Sequence, residues 1–279
     1  MNAPVFAGLD VGTSGVKALL MAADGEVVGV ATAPLAMSVP TPGWAEQHPN
    51  AWWDAARTTL KQLLESTPGA QVAALGLTGQ MHSSVFLDRA GEVIRPALLW
   101  CDGRTTSECA EITACMGGEE ALRDHACNPA LEGFTLPKVL WLRNHEPAAW
   151  ERVATVMLAK DFVRLRLTGT VASEPSDASG TLMFDTARGT WSDAILDAVS
   201  VPRALLPSLG GSSEVLGAVT PQAAALTGLP SGTPVVGGGA DNACGAAGVG
   251  AVEPGDVVIS WGTSGTVLAP CAELRVDPA

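Results

Sequence analysis

Short apolar runs broken by tight turns open the chain, and that alternation predicts strands. Residues 5–11 (Val-Phe-Ala-Gly-Leu-Asp-Val) read as the first strand and residues 16–21 as the second. Asp24-Gly25 then makes a hairpin turn into a returning strand over 26–30. With Asn50 as its N-cap, a 3.6-residue period predicts a helix to about Glu65, with Trp53, Ala56, Leu60, Leu63 and Leu64 on one face. Residues 72–77 are apolar throughout and read as a strand buried on both faces, followed by a strand over 84–88. A mostly helical pattern covers 105–150, one segment opening around Pro137, and strands alternate with helices over 153–206. Pro221 opens a helix that stops at Gly228, and Pro234-Val235-Val236 runs into Gly237-Gly238-Gly239. The small residues of 243–251 predict a helix lying close against another backbone. The order implies an α/β fold with a mixed sheet flanked by helices on both faces.

Composition narrows the class. With 279 residues, 47% hydrophobic and 16% charged, the chain is a compact globular protein of one large domain or two small ones. A net charge of −13 argues against nucleic acid or an anionic membrane as partner, because both would be repelled. It leaves room for a phosphorylated small molecule held by local donors and a metal ion. The six cysteines form no C-x-x-C pair and read as reduced thiols, and no run approaches eighteen apolar residues. A cytoplasmic location is expected, and a homodimer is compatible with this composition.

The tetrapeptide Gly-Thr-Ser-Gly occurs twice, at 12–15 and 262–265, each time after an apolar run. A strand that empties into such a turn offers backbone N–H groups and hydroxyls to phosphate oxygens. Gly12, Thr13, Ser14, Gly262 and Thr263 are therefore candidate ATP-phosphate contacts, and the pair suggests two related lobes closing on one nucleotide. No Walker A spacing runs through Lys17, and the triple glycine lacks the third glycine of a dinucleotide fingerprint. Asp10, two residues before the first turn, suits either magnesium held through water or an Asx-type turn. Gln80-Met81-His82 follows a buried strand, where open α/β sheets bind ligands, and its donors and acceptors suit sugar hydroxyls; a structural histidine is the alternative. Asp241-Asn242 follows the triple glycine. There a carboxylate is either a weak but positioned base for a sugar hydroxyl or a helix N-cap.

Together these segments resemble the FGGY family of carbohydrate kinases. The match rests on residues 8–17, 43–49 (Gly-Trp-Ala-Glu-Gln-His-Pro), 76–82, 99–104, 137–141, 160–161 with 165–169, 177–181, 239–243 and 261–265, in the family's order. The resemblance implies an actin-like fold of two RNase-H-like lobes, with residues 1–249 as a sugar-binding lobe and 250–279 beginning an ATP-binding lobe. It implies ATP and Mg2+ as cofactors and phosphorylation of a ketopentose, D-xylulose first. Gluconate, ribulose or glycerol are alternative acceptors. Asp241 is then the base, Asp10 the acid near magnesium, and Gln80, Met81, His82 and Asn242 the sugar contacts. Ser83 and Cys101 depart from the pattern of the xylulose-phosphorylating members, which carry glycine and a polar residue there. Family members run to about twice this length. A chain of 279 residues is accordingly expected to be inactive alone, or to serve as a non-catalytic sugar-binding lobe. An actin-like ATPase acting on protein partners is a third reading, disfavoured by Gln80-Met81-His82.

Overall fold

The computed structural model describes residues 4–261 and 265–276. Strands Pro4–Val11, Gly15–Ala22 and Val27–Pro34 form an antiparallel meander. The central strand Gln71–Gly79 runs parallel to the first, and Pro234–Val236 and Gly239–Ala240 run parallel to its other edge. Val215–Ala218 closes that side antiparallel to Pro234–Val236, so the sheet is mixed. The first Gly-Thr-Ser-Gly is the bend between two antiparallel strands, as the pattern predicts.

The long helix Pro49–Ser66 covers one face of the sheet. Its N-cap is His48, whose ring accepts the Asn50 amide, and Pro49 fills the first helical position where an amide would go unused. The expected cap at Asn50 is therefore two residues late. The buried stripe likewise uses Trp52, Ala56, Leu60 and Leu63, with Trp53 and Leu64 at its margin. Helices Ala159–Thr168 and Pro221–Thr227 complete this core layer.

Two further expectations are corrected. The central strand is not buried on both faces: Val72, Leu75 and Leu77 point into the core, while Gly76 and Thr78 are only half-buried. Their face, with Gly8, Lys17 and Leu19, lines an open depression of about 270 Å³. The helix after the triple glycine spans Asp241–Gly248, and among the described residues no backbone crowds its Gly245 or Gly248. A methyl on Gly245 or Gly248 would meet nothing within 4 Å.

Between the central strand and residue 206, the chain builds a second core from helices Thr106–Cys115, Glu119–Ala126, Thr135–His145 and Asp193–Ala198 with short strand pairs. This layer meets the C-terminal ends of the parallel strands: Thr135 donates to the His82 carbonyl at 3.1 Å and the Trp100 indole to Thr13 at 2.9 Å. The hairpin Val258–Trp261 and Gly265–Leu268 pairs with itself and lies off the main sheet. Among the described residues, no helix is long and apolar enough to cross a membrane.

Candidate functional site

Strand register assembles the site. Asp10 pairs with Thr78, and Thr78 pairs on its other side with Gly239. Asp10 and Gly239 are thus two strand spacings apart, about 10 Å, with Asp241 two residues beyond. Gln80-Met81-His82 leaves the central strand between them. These are the C-terminal ends of three parallel strands, where side chains are freed from the ladder and open toward a crevice.

The triple glycine is a steric requirement of this arrangement. Gly238 has φ +75°, and a Cβ on it would fall 1.8 Å from the Leu77 carbonyl oxygen. One on Gly237 would fall 2.4 Å from the Gly211 oxygen. The segment can press against the central strand only without side chains.

Asp241 is the first helical residue; the cap position belongs to Ala240, which has no side-chain oxygen to offer. The Asp241 carboxylate accepts the neighbouring Asn242 amide at 2.7 Å. Asp241 is thus not the N-cap residue, but its carboxylate satisfies one first-turn amide of the helix. Partial desolvation against the lobe raises its pKa, the Asn242 amide opposes that, and the Asp10 charge adds to it. Asn242 reaches across the groove, its Nδ2 3.8 Å from the Met81 sulfur.

Asp10 is half-buried. Burial raises its pKa while Lys17 lowers it, and its Oδ1 is buried with no hydrogen-bond partner among the described residues. No Asx turn is made through that oxygen. An orphaned carboxylate oxygen is what a cation or its hydration shell satisfies. No group of three metal-ligating side chains occurs among the described residues.

His82 sits in the left-handed region at φ +64°. Its Nδ1 bonds the Gly180 carbonyl, and its ring meets Phe134 edge-on at 5.1 Å. A carbonyl only accepts, so Nδ1 carries the proton. Burial lowers the ring's pKa to about 4, outweighing the opposing Gly180 bond. The imidazole is therefore neutral at physiological pH and offers the Nε2 lone pair as an acceptor for a hydroxyl.

Gln80 lies beneath the groove. It is buried, its Oε1 accepting from Ser83 at 2.9 Å and from Thr13 at 3.4 Å, while its Nε2 reaches Gln47 and the Gly12 carbonyl. Thr13 also accepts from the Trp100 indole at 2.9 Å, which ties the first glycine turn to the groove's far wall. Ser83, where the resemblance expects glycine, is fully buried and receives the Trp100 amide at 3.2 Å, so its hydroxyl faces inward. Cys101 is exposed next to Trp100. Ser14 is exposed and Gly12 half-buried at the turn. Gly262 and Thr263 lie outside the described residues.

Sequence reasoning missed three supports. Gly180 fixes the His82 tautomer, and Phe134 flanks the ring. Lys138 is buried and donates to the carbonyls of Glu132, Gly133 and Phe134, which holds Phe134 in place. Burial pulls the Lys138 pKa down to about 7 against the pull of Asp102. Only Lys138 and Gly180 carried a signal, as members of quoted segments whose role spacing alone does not reveal.

Comparison with known proteins agrees with this architecture. The family model described as the N-terminal domain of the FGGY family of carbohydrate kinases matches residues 5–248. Xylulose kinase of Escherichia coli is 43% identical over 265 residues, covering 95% of this chain and 54% of that protein. The crystal structure of xylulose kinase from Rhodospirillum rubrum superposes with TM-score 0.95 at 36% identity, covering 98% of this chain and 56% of that one. Gluconate kinase from Lactobacillus acidophilus gives TM-score 0.93 at 23% identity, covering 99% of this chain and 56% of its own, a likeness of fold alone. The chain spans about half the length of the curated relatives it matches.

Proposed function

This chain belongs to the FGGY family of carbohydrate kinases, and from that premise we propose that it is the sugar-binding, actin-like lobe of a kinase that phosphorylates D-xylulose. The observation that carries the reading is the pairing of two carboxylates, Asp10 and Asp241, across one groove, with Met81, His82 and Asn242 between them. The relatives at 36–43% identity described as xylulose kinases favour that sugar.

In this reading the sugar lies against Met81 and Asn242 with one hydroxyl donating to His82 Nε2. Asp241 accepts the proton of the hydroxyl that is phosphorylated. A carboxylate is a weak base, yet it suffices where the proton leaves late in a loose phosphoryl-transfer transition state. ATP with Mg2+ supplies the phosphoryl group when bound. Asp10, with its orphaned oxygen, would hold the ion's hydration shell, and the turn at Gly12, Thr13 and Ser14 would face the phosphates. Gly262 and Thr263 belong to the same proposal as the opposing turn. Division of the chain at 249/250 into a sugar lobe and the start of an ATP lobe, and a cytoplasmic location, are parts of it as well. Gln80 holds the Met81-His82 loop from below.

The test is ADP release by the complete gene product with xylulose, ribulose, gluconate and glycerol in turn. The expected result is a kcat/KM for xylulose at least tenfold above the others. A preference for gluconate or glycerol would assign the lobe to another branch of the family, and no ADP release with any of the four would remove the kinase reading. The 279-residue chain alone is expected to show no turnover.

A further inference from the structure

Behind the groove lies a charge cluster that the proposed chemistry does not use. Lys160, Asp161, Arg164, Glu174 and Asp177 are all fully buried. Lys160 Nζ is 3.0 Å from Asp161, 3.2 Å from Glu174 and 3.0 Å from Asp177, and Arg164 reaches Asp161 at 2.6 Å. Burying five charges is expensive, and replacing such a cluster with apolar side chains is often stabilising. What this cluster holds is therefore informative.

Arg164 also donates to the Ala172 carbonyl, and Glu174 also accepts the Ser176 and Asp177 amides, but three of the cluster's links reach the segment 237–240. Arg164 Nη1 donates to the Gly237 carbonyl at 2.9 Å. The Gly238 amide donates to the Ser212 carbonyl at 2.8 Å, and the Ser212 hydroxyl donates to Glu174 at 2.7 Å. The Ala240 amide donates to Ser176 Oγ at 3.0 Å, and that hydroxyl donates to Glu174 at 2.9 Å. Ser176 sits close under Gly239, where a Cβ would lie 3.3 Å from its Oγ. The residue that follows this braced segment is Asp241.

We propose that Ser176, backed by the Glu174 carboxylate, is a positioning residue for Asp241. The inference rests on the reading of Asp241 as the base. Side-chain-free glycines let the 237–240 segment lie flat on the central strand, but they leave its backbone torsions loosely determined. Hydrogen bonds from a rigid buried cluster remove that freedom. The Ala240 amide borders the peptide from which the Asp241 side chain departs, so the Ser176 bond sets where the carboxylate stands. An error of about 1 Å in a reacting group costs on the order of 100-fold in rate. Because Ser176 touches no sugar contact, its loss is felt in the chemical step and not in sugar affinity.

The experiment uses the complete gene product with Ser176→Ala, Ser176→Thr and Asp241→Asn, assayed well below each variant's melting midpoint. Ser176→Ala is expected to lower kcat at least tenfold with the sugar KM within twofold, and Ser176→Thr, which keeps the hydroxyl, to restore most of it. In the Asp241→Asn background, Ser176→Ala is expected to add no further loss. An unchanged kcat in Ser176→Ala overturns the proposal, as does a loss that appears equally in KM or that threonine fails to restore. If Asp241→Asn itself keeps wild-type turnover, the base assignment fails, and that outcome is read from a separate variant.

Discussion

His82 rests directly on Gly180: a Cβ built on the glycine would stand 2.4 Å from His82 Cε1 and 2.7 Å from Nδ1. The same glycine's carbonyl receives the ring's proton. One residue therefore makes room for the histidine and selects its tautomer. Gly180→Ala cannot keep both, and the ring, already at a positive φ, has to move. The expected outcome is a sugar KM raised at least tenfold with a smaller change in kcat, measured by steady-state kinetics on the complete gene product. An unaltered KM would sink the placement of His82 against the sugar.

Asp241→Asn removes the proton acceptor but preserves shape, and asparagine can still accept the Asn242 amide. General-base losses of about 10²–10⁴-fold are typical. We expect kcat to fall in that range while the sugar dissociation constant, from calorimetry without nucleotide, stays within about threefold. The wild-type pH–rate profile should follow the raised pKa. A base acts when deprotonated, so activity is lost on the acid side, and its limb lies above the ordinary aspartate value near 3.9.

His82 also makes stability depend on pH. Its pKa is about 4 folded, against 6.5 for the free side chain, so between those values the unfolded state binds more protons. The contribution is fully present above pH 6.5 and is lost as pH falls toward 4, for a total of up to about 3 kcal/mol. Denaturant melts at pH 7 and pH 4.5 should show a smaller difference for His82→Gln than for wild type. Equal slopes in the two proteins would contradict a buried neutral imidazole.

Arg104 holds the wall opposite the strand ends. Its guanidinium lies 3.6 Å from the Trp44 ring centre and 4.7 Å from that of Trp141, and it bonds both oxygens of buried Asp102 at 2.8 and 2.7 Å. It also pairs with Glu46 at 2.8 Å. Arg104→Leu leaves buried Asp102 without its counter-charge, while Glu46 keeps Arg95, and should cost about 3–5 kcal/mol, read as a lowered urea midpoint. A loss below about 1 kcal/mol, the scale of a surface pair, would show that the cluster is hydrated.

Local pattern alone determined that the chain begins with an antiparallel meander, that a glycine turn joins its first two strands, and that Asp10, Met81-His82 and Asp241-Asn242 stand at strand ends. Such features depend on neighbours in sequence: turn chemistry, apolar periodicity, glycine where φ must be positive. Even there the helix cap moved from Asn50 to His48, because proline at the first helical position shifts the start upstream. Tertiary structure decided the rest. Only the register, Asp10 to Thr78 to Gly239, shows that two carboxylates far apart in sequence stand at neighbouring strand ends. Only packing shows that Gln80 and Ser83 face inward, that Gly180 sets the His82 tautomer, and that the segment 237–240 is braced by Arg164, Ser212 and Ser176. Hydrogen bonds between distant segments leave no period in a sequence, because each partner's residue type is equally at home on a solvated surface.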